Sequence, residues 1–177
     1  MEEIRLHGRG GQGLVKASHI VVRTAVETGH YGQFIPFFGV ERKGSPVFGF
    51  LRLSEEQIRR KTQVYEPDVL IILDDTLVHL PATYAGLKEG GTVVINSVHT
   101  PEELGIPARA AKVAVVDATG IAMDEIGRSI PNTAMLGAFA KATGLIDSSK
   151  LFDNIADEFG EANRAAAMRA YDAVKIC

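Results

Sequence analysis

The chain has 177 residues, 46% of them hydrophobic, and a formal net charge of −3. This length and composition predict one globular domain, residues 1–177, with its own core. The weakly acidic balance, 19 Lys and Arg against 22 Asp and Glu, argues against a nucleic-acid-binding protein.

The single cysteine, Cys177, cannot form an internal disulfide or hold an iron–sulfur cluster alone. No apolar run approaches the roughly 20 residues that cross a bilayer. The first residues also lack the order of a signal peptide, positive and then hydrophobic. We therefore expect a cytoplasmic protein that interacts with neither a membrane nor nucleic acid.

Short apolar runs alternate with longer amphipathic ones, which is typical of α/β chains with parallel sheets. The run 69–73, VLIIL, is apolar throughout, as expected of a strand covered on both faces. The predicted strands are residues 4–7, 33–38, 46–53, 69–73, 92–95 and 113–116.

Helix-like periodicity fills the intervals between the strands. From Leu14 to Thr28, apolar residues form a wide helical stripe without Gly or Pro. The run 133–140 is apolar on nearly every side, so it is either an internal helix or one covered by another subunit. The predicted helices are residues 14–28, 54–62, 81–88, 120–128, 132–142, 149–159 and 161–175. The pattern predicts a three-layer α/β fold with one doubly wound, mostly parallel sheet, similar to a Rossmann fold.

The segment 8–13, GRGGQG, lies between the first strand and the first long helix. Glycines permit positive φ and close backbone approach, and a helix N-terminus favours anions. The segment satisfies the G-x-G-x-x-G pattern, but Glu41 comes too late to be the acidic partner of a dinucleotide site. The alternatives are a phosphate-binding loop and a turn that glycine allows to pack closely.

The insert 41–45, ERKGS, separates two strand-like runs. Loops at the carboxyl ends of strands gather around the site of a doubly wound sheet. Arg42 and Lys43 would then face the same space as residues 8–13, where they would suit a ligand with several phosphates. The alternative is a solvated hairpin tip with ordinary surface charge.

Other polar residues favour structural roles. None of the five histidines has the spacing of a metal site such as H-E-x-x-H. Asp74 and Asp75 follow a predicted strand and are expected to cap the next helix. Asn132 and Thr133 follow Pro131 and are expected at a helix start.

Three ordered motifs resemble the gamma subunits of 2-oxoacid:ferredoxin oxidoreductases. They are residues 8–13, residues 38–47 (FGVERKGSPV), and Asp117-Ala118-Thr119 with residues 131–138 (PNTAMLGA). The second motif departs from the usual pattern, because Val40 stands where proline is common and Arg42-Lys43 shift the basic–glycine pair. Its KGSPV form is closer to the pyruvate-type members.

The resemblance implies a complex of alpha, beta, gamma and delta subunits. The alpha and beta subunits would hold thiamine diphosphate with Mg, and the beta and delta subunits [4Fe–4S] clusters. The complex would convert a 2-oxoacid, by resemblance pyruvate, and coenzyme A into an acyl-CoA and CO2, with ferredoxin as electron acceptor. Coenzyme A, with its pyrophosphate and 3′-phosphate, is the family ligand that best suits the glycine loop and the basic insert.

We therefore expect a gamma subunit that contacts coenzyme A, holds no cofactor alone, and has neither catalytic residues nor metal ligands. The predicted binding residues are Gly8, Arg9, Gly10, Gly11, Gln12, Gly13, Arg42, Lys43, Gly44, Asn132 and Thr133. Two alternatives remain at this point: a stand-alone NAD(P)-binding oxidoreductase and a scaffold that never contacts the coenzyme. The sequence also leaves open whether the isolated chain forms a homodimer.

Overall fold

A seven-stranded sheet with the strand order β2-β3-β1-β4-β5-β6-β7 runs through the molecule. The computed structural model describes residues 1–37 and 43–177. The strands are β1 (Glu2–Arg9), β2 (Tyr31–Phe37), β3 (Pro46–Ser54), β4 (Val69–Ile72), β5 (Gly91–Asn96), β6 (Ala110–Val116) and β7 (Lys175–Ile176).

Six α-helices and one 3₁₀ helix lie among the described residues. The α-helices are α1 (Leu14–Glu27), α2 (Pro81–Tyr84), α3 (Ala118–Glu125), α4 (Asn132–Thr143), α5 (Ser148–Phe159) and α6 (Glu161–Ala173), and the 3₁₀ helix is Asp75–His79. None of them is long and apolar enough to span a membrane.

The four central strands, β1, β4, β5 and β6, run parallel to one another. The α/β fold class is confirmed, with a difference at the sheet margins, because β2 and β3 form an antiparallel pair next to β1 and β7 is antiparallel to β6. Only residues 38–45 separate β2 from β3. A segment this short can join antiparallel neighbours but cannot form the crossover that parallel strands require.

The two faces of the sheet are covered unequally. On one face α1 and α4 contact the strands, and α3, α5 and α6 pack onto these two helices. This side contains most of the buried apolar side chains. The other face is covered by a smaller cluster that includes Leu77 of the 3₁₀ helix, Leu87 and Leu104. The carboxyl ends of the parallel strands therefore lie between a thick helical layer on one face and a thin, irregular layer on the other.

Helix α4 is internal, which decides between the two alternatives for the apolar run 133–140. Ten of its 12 residues are buried, and its neighbours include α6, α3, α5 and the sheet. At Gly137, an added Cβ would overlap the backbone carbonyl of Ala167 in α6. The close crossing of α4 and α6 therefore requires glycine at this position.

We predict that Gly137→Ala destabilises the protein by roughly 1–3 kcal/mol, the usual cost of overpacking a core. Alanine in place of glycine inside a helix ordinarily stabilises it by about 1 kcal/mol, so the sign of the change tests the packing. Urea unfolding of both proteins measures it. A variant at least as stable as the parent would contradict the close crossing.

The predicted helix 54–62 is wrong, because residues 55–68 contain no helix. Arg52 is fully buried beneath this segment and makes an ion pair of 2.9 Å with Glu3. Its guanidinium also donates to the carbonyl oxygens of Thr62 and Gln63, at 2.7 and 3.1 Å. These backbone carbonyl oxygens pair with a buried cation. The hydrogen bonds from Arg52 therefore hold this segment in an irregular conformation.

A second buried arginine, Arg5, limits α2, which ends at Tyr84 instead of the predicted residue 88. Its guanidinium donates to carbonyl oxygens in and just after this helix and to one in the irregular segment 55–68. The acceptors are Val64, Ala82, Thr83 and Ala85. Burial lowers the pKa of Arg5 to about 10, which leaves it charged at neutral pH.

His7 lies beside Arg5 and is 1% exposed. Its Nε2 atom accepts a hydrogen bond of 2.9 Å from Arg5 Nε, so the neutral ring carries its proton on Nδ1. Burial, and secondarily the charge of Arg5, lowers the pKa of His7 to about 3. Protonation of this ring therefore favours the unfolded chain.

We predict that His7 makes the protein less stable as the pH falls from the ordinary histidine pKa toward 3. The free energy of unfolding should decrease by roughly 2 kcal/mol between about pH 7.5 and about pH 5 on account of this residue. His7→Gln should remove that part of the decrease in urea unfolding curves. His30→Gln, at an exposed histidine, is the matched control. If the stability of both variants decreases with falling pH as steeply as that of the parent, the claim that His7 is neutral in the folded protein is refuted.

Candidate functional site

The glycine loop, defined as residues 8–13, joins the end of β1 to the start of α1. Gly11 and Gly13 have φ values of +92° and +79°, a region that favours glycine. At Gly13 an added Cβ would also overlap the side-chain amide of Asn132. Asn132 Nδ2 donates to the carbonyl oxygen of Gly13 at 3.2 Å, which joins the loop to the start of α4.

The turn before β3 is bonded directly to the glycine loop. Gly10 N donates to Ser45 O at 2.9 Å, and Gly44 N donates to Gly10 O at 3.3 Å. These bonds continue the antiparallel ladder of β1 and β3 beyond Arg9 and Pro46. The predicted proximity of Lys43 to the glycine loop is therefore a consequence of strand pairing.

Arg9 bridges three segments around the loop. Its Nη1 donates to Gly44 O at 3.0 Å, while Nη2 and Nε donate to Thr76 Oγ1 at 2.9 and 3.2 Å. Its Nε also lies 3.5 Å from Asp74 Oδ2. The guanidinium thus has a fixed position at the edge of the loop.

An open cleft of about 900 Å³ lies beside the glycine loop. Its described lining contains four charged side chains, and all of them are cations: Arg9, Lys16, Lys43 and Arg128. The remaining lining is largely apolar and includes three aromatic rings. These apolar residues are Leu14, Val15, Phe37, Val47, Phe48, Ile126, Ile130 and Phe159.

The N-terminus of α1 opens into this cleft. Gly13 is its N-cap residue, and no side chain among the described residues caps the first turn. The first backbone N–H groups of a helix lack intrahelical acceptors and carry a partial positive charge. Together with the cations that line the cleft, they make the local potential positive, which favours an anion.

Most predicted site residues lie in or next to this cleft. Arg9, Gly10, Gly11, Gly13, Lys43 and Asn132 line it. Gly44 contributes backbone contacts to the loop, and Gly8 lies behind it against Leu14 and Leu73. Arg42 lies outside the described residues, so its predicted contribution remains a prediction.

Two predicted residues point elsewhere. Gln12 extends into a separate polar groove at the carboxyl ends of β4, β5 and β6. Thr133 is fully buried, and its hydroxyl hydrogen-bonds to Asn163 Oδ1 at 2.9 Å. Their side chains support the site without lining the cleft.

Sequence reasoning missed Lys16 and Arg128 as members of the cationic set. Lys16 has a detectable signal, because it lies three residues after Gly13, within the first turn of α1. Arg128 is the last residue of the predicted helix 120–128, which carries no binding motif. Helix α3 ends at Glu125, and the position of Arg128 at the cleft depends on tertiary packing.

Asp74 caps the 3₁₀ helix, as expected, by accepting a hydrogen bond from Thr76 N at 3.0 Å. No group of three or more His, Cys, Asp or Glu residues in the described chain is arranged to bind a metal ion. The charged groups that the described cleft presents are cations and the backbone N–H groups of α1.

These features define an α/β protein with a cationic cleft at the turn between its first strand and first helix. Residues 3–173 match the family model of pyruvate ferredoxin/flavodoxin oxidoreductase, and the chain belongs to this family. The resemblance identified from the three motifs is thereby confirmed.

Curated relatives match over almost the whole chain. Pyruvate synthase subunit PorC of Methanothermobacter marburgensis is 47% identical, over 99% of this chain and 98% of the relative. A gamma subunit common to the pyruvate and ketoisovalerate oxidoreductases of Thermococcus kodakarensis is also 47% identical, over 97% of this chain and 96% of the relative.

The crystal structure of pyruvate oxidoreductase subunit PORC from Thermotoga maritima has the same fold. Its TM-score is 0.86 at 38% identity, and the match covers 99% of this chain and 97% of that one. The chain is accordingly a gamma subunit of a pyruvate or 2-oxoacid ferredoxin oxidoreductase, and it works within a multi-subunit oxidoreductase complex.

Proposed function

We propose that this subunit forms the coenzyme A cleft of a thiamine-dependent, CoA-acylating 2-oxoacid:ferredoxin oxidoreductase. One observation carries the proposal: every charged side chain in the described lining of the cleft is a cation, and they surround an uncapped helix N-terminus. An anion with several phosphates suits this arrangement better than a neutral ligand does.

The volume of the cleft, about 900 Å³, lies in the range usual for cofactor sites, and its cationic and apolar lining supports coenzyme A as the ligand. Its pyrophosphate would lie at the glycine loop, where Gly10, Gly11 and Gly13 allow close backbone approach. Lys43, Lys16 and Arg128 would supply positive charge at the mouth of the cleft. The adenine ring and the pantetheine arm would contact the apolar and aromatic walls, as is usual in coenzyme sites.

The family resemblance implies the division of labour within the complex. Thiamine diphosphate with Mg in the alpha and beta subunits would supply the carbon chemistry, and [4Fe–4S] clusters in the beta and delta subunits would pass electrons to ferredoxin. This chain would bind and orient coenzyme A, and it would contribute no catalytic side chain.

The proposed 2-oxoacid is pyruvate, but we expect partner subunits to select it. The Thermococcus kodakarensis relative is named as common to pyruvate and ketoisovalerate oxidoreductases. A subunit shared by two such enzymes is suited to a step that both have in common. Binding of coenzyme A would be such a step.

We predict that Lys43→Glu raises the apparent KM for coenzyme A by roughly 3- to 10-fold, which corresponds to about 0.7–1.4 kcal/mol of lost attraction. The apparent KM for pyruvate should stay within twofold, because the 2-oxoacid would react at the partner subunits. Steady-state kinetics of the complex reconstituted with the variant chain measure both values.

Lys175→Glu is the matched control, because it reverses an exposed lysine of β7, at the other margin of the sheet. An unchanged KM for coenzyme A in both Lys43→Glu and Lys16→Glu would favour the scaffold alternative. Saturable binding of NADPH in competition with coenzyme A would favour the dinucleotide-binding alternative.

A further inference from the structure

We infer that Asp74 is a positioning residue for the coenzyme cleft: it holds the glycine loop through Gln12 and the Arg9 guanidinium through Thr76. The inference rests on the proposed function for its effect on coenzyme A, while its structural part can be tested independently. Asp74 itself does not line the cleft, and it acts from the opposite side of the loop.

The first connection runs through Gln12. Gln12 Nε2 donates to Asp74 Oδ2 at 2.8 Å, and Gln12 Oε1 accepts from the backbone N–H of Arg9, also at 2.8 Å. The amide side chain therefore spans the base of the glycine loop. Its orientation is fixed, because a carboxylate can only accept and so selects the NH₂ end of the amide.

The second connection runs through Thr76. The Thr76 hydroxyl donates to Asp74 Oδ1 and accepts from Arg9 Nη2 at 2.9 Å. Since a hydroxyl has one proton, the bond to the carboxylate leaves its lone pairs for the guanidinium. Arg9 Nε also lies 3.5 Å from Asp74 Oδ2, so the carboxylate attracts the guanidinium directly as well.

The local environment keeps Asp74 ionised. Burial by itself raises the pKa of this carboxyl, but the hydrogen bonds from Thr76 and Gln12, with the charge of Arg9, outweigh it and hold the pKa below its ordinary value. The carboxylate can therefore accept from both connections at neutral pH. An asparagine side chain has one acceptor oxygen and two N–H donors, so it cannot replace all of these contacts.

The neighbouring residue provides a matched control. Asp75 Oδ2 accepts from Ser97 Oγ at 2.6 Å. Asp75 lies in the same polar groove as Asp74, and the described contacts give it none with the glycine loop. Asp75→Asn makes the same chemical change one residue away without touching either connection.

The test begins with amide hydrogen exchange of the full chain, which does not depend on coenzyme A. Asp74→Asn should accelerate exchange of the amides in residues 9–13 by roughly tenfold or more, because the Arg9 N–H loses a fixed acceptor. Asp75→Asn should leave that segment unchanged. Both variants should retain the exchange protection of the central strands, which shows that the fold is intact.

Kinetics of the reconstituted complex supply the second readout. Asp74→Asn should raise the apparent KM for coenzyme A by roughly 3- to 10-fold, because the glycine loop and Arg9 lose their fixed positions at the proposed cleft. The kcat should stay within twofold, because the reacting groups would lie in the partner subunits. Gln12→Ala should have a similar effect. The double variant should raise this KM by clearly less than the product of the two single effects, because both changes break the same Gln12–Asp74 hydrogen bond.

The outcomes separate this inference from the proposed function. Unchanged exchange in residues 9–13 of Asp74→Asn overturns the inference. An unchanged KM for coenzyme A in Asp74→Asn also overturns it, provided that Lys43→Glu raises that KM. If exchange accelerates but no variant alters the KM, Asp74 still positions the loop, and the proposed coenzyme A cleft is refuted.

Discussion

The reciprocal backbone hydrogen bonds between Gly10 and the turn at Gly44 and Ser45 are the constraint on which the site depends. They extend the pairing of β1 with β3 into the glycine loop, and they bring Lys43 next to the N-terminus of α1. The antiparallel margin of the sheet, which differs from a doubly wound parallel fold, is therefore what completes the cleft.

The two sides of the glycine loop differ in charge. The cleft side presents cations among apolar walls, whereas the opposite side presents Asp74 and Asp75 in a polar groove. A chain with a net charge of −3 thus concentrates positive charge where the helix dipole already favours an anion. This separation supports a role in ligand binding over that of a purely structural scaffold.

Two buried arginines explain why the segments covering one face of the sheet are irregular. Arg5 and Arg52 are buried on the sheet face opposite α1, and backbone carbonyls of the covering segments satisfy their guanidinium groups. Buried cations are costly unless such acceptors surround them. This face is consequently covered by loops whose carbonyls point inward, and the large helices pack on the other face.

The sequence by itself determined the chain order of the first six strands and of the helices that cover one face of the sheet, because apolar periodicity reports burial directly. It also placed the glycine loop between β1 and α1, where Gly11 and Gly13 adopt positive φ. Tertiary structure alone decided that residues 55–68 are irregular, that Gln12 turns away from the cleft and that Arg128 joins it. The reason is physical: these features depend on contacts between residues distant in sequence, whose partners no local pattern records.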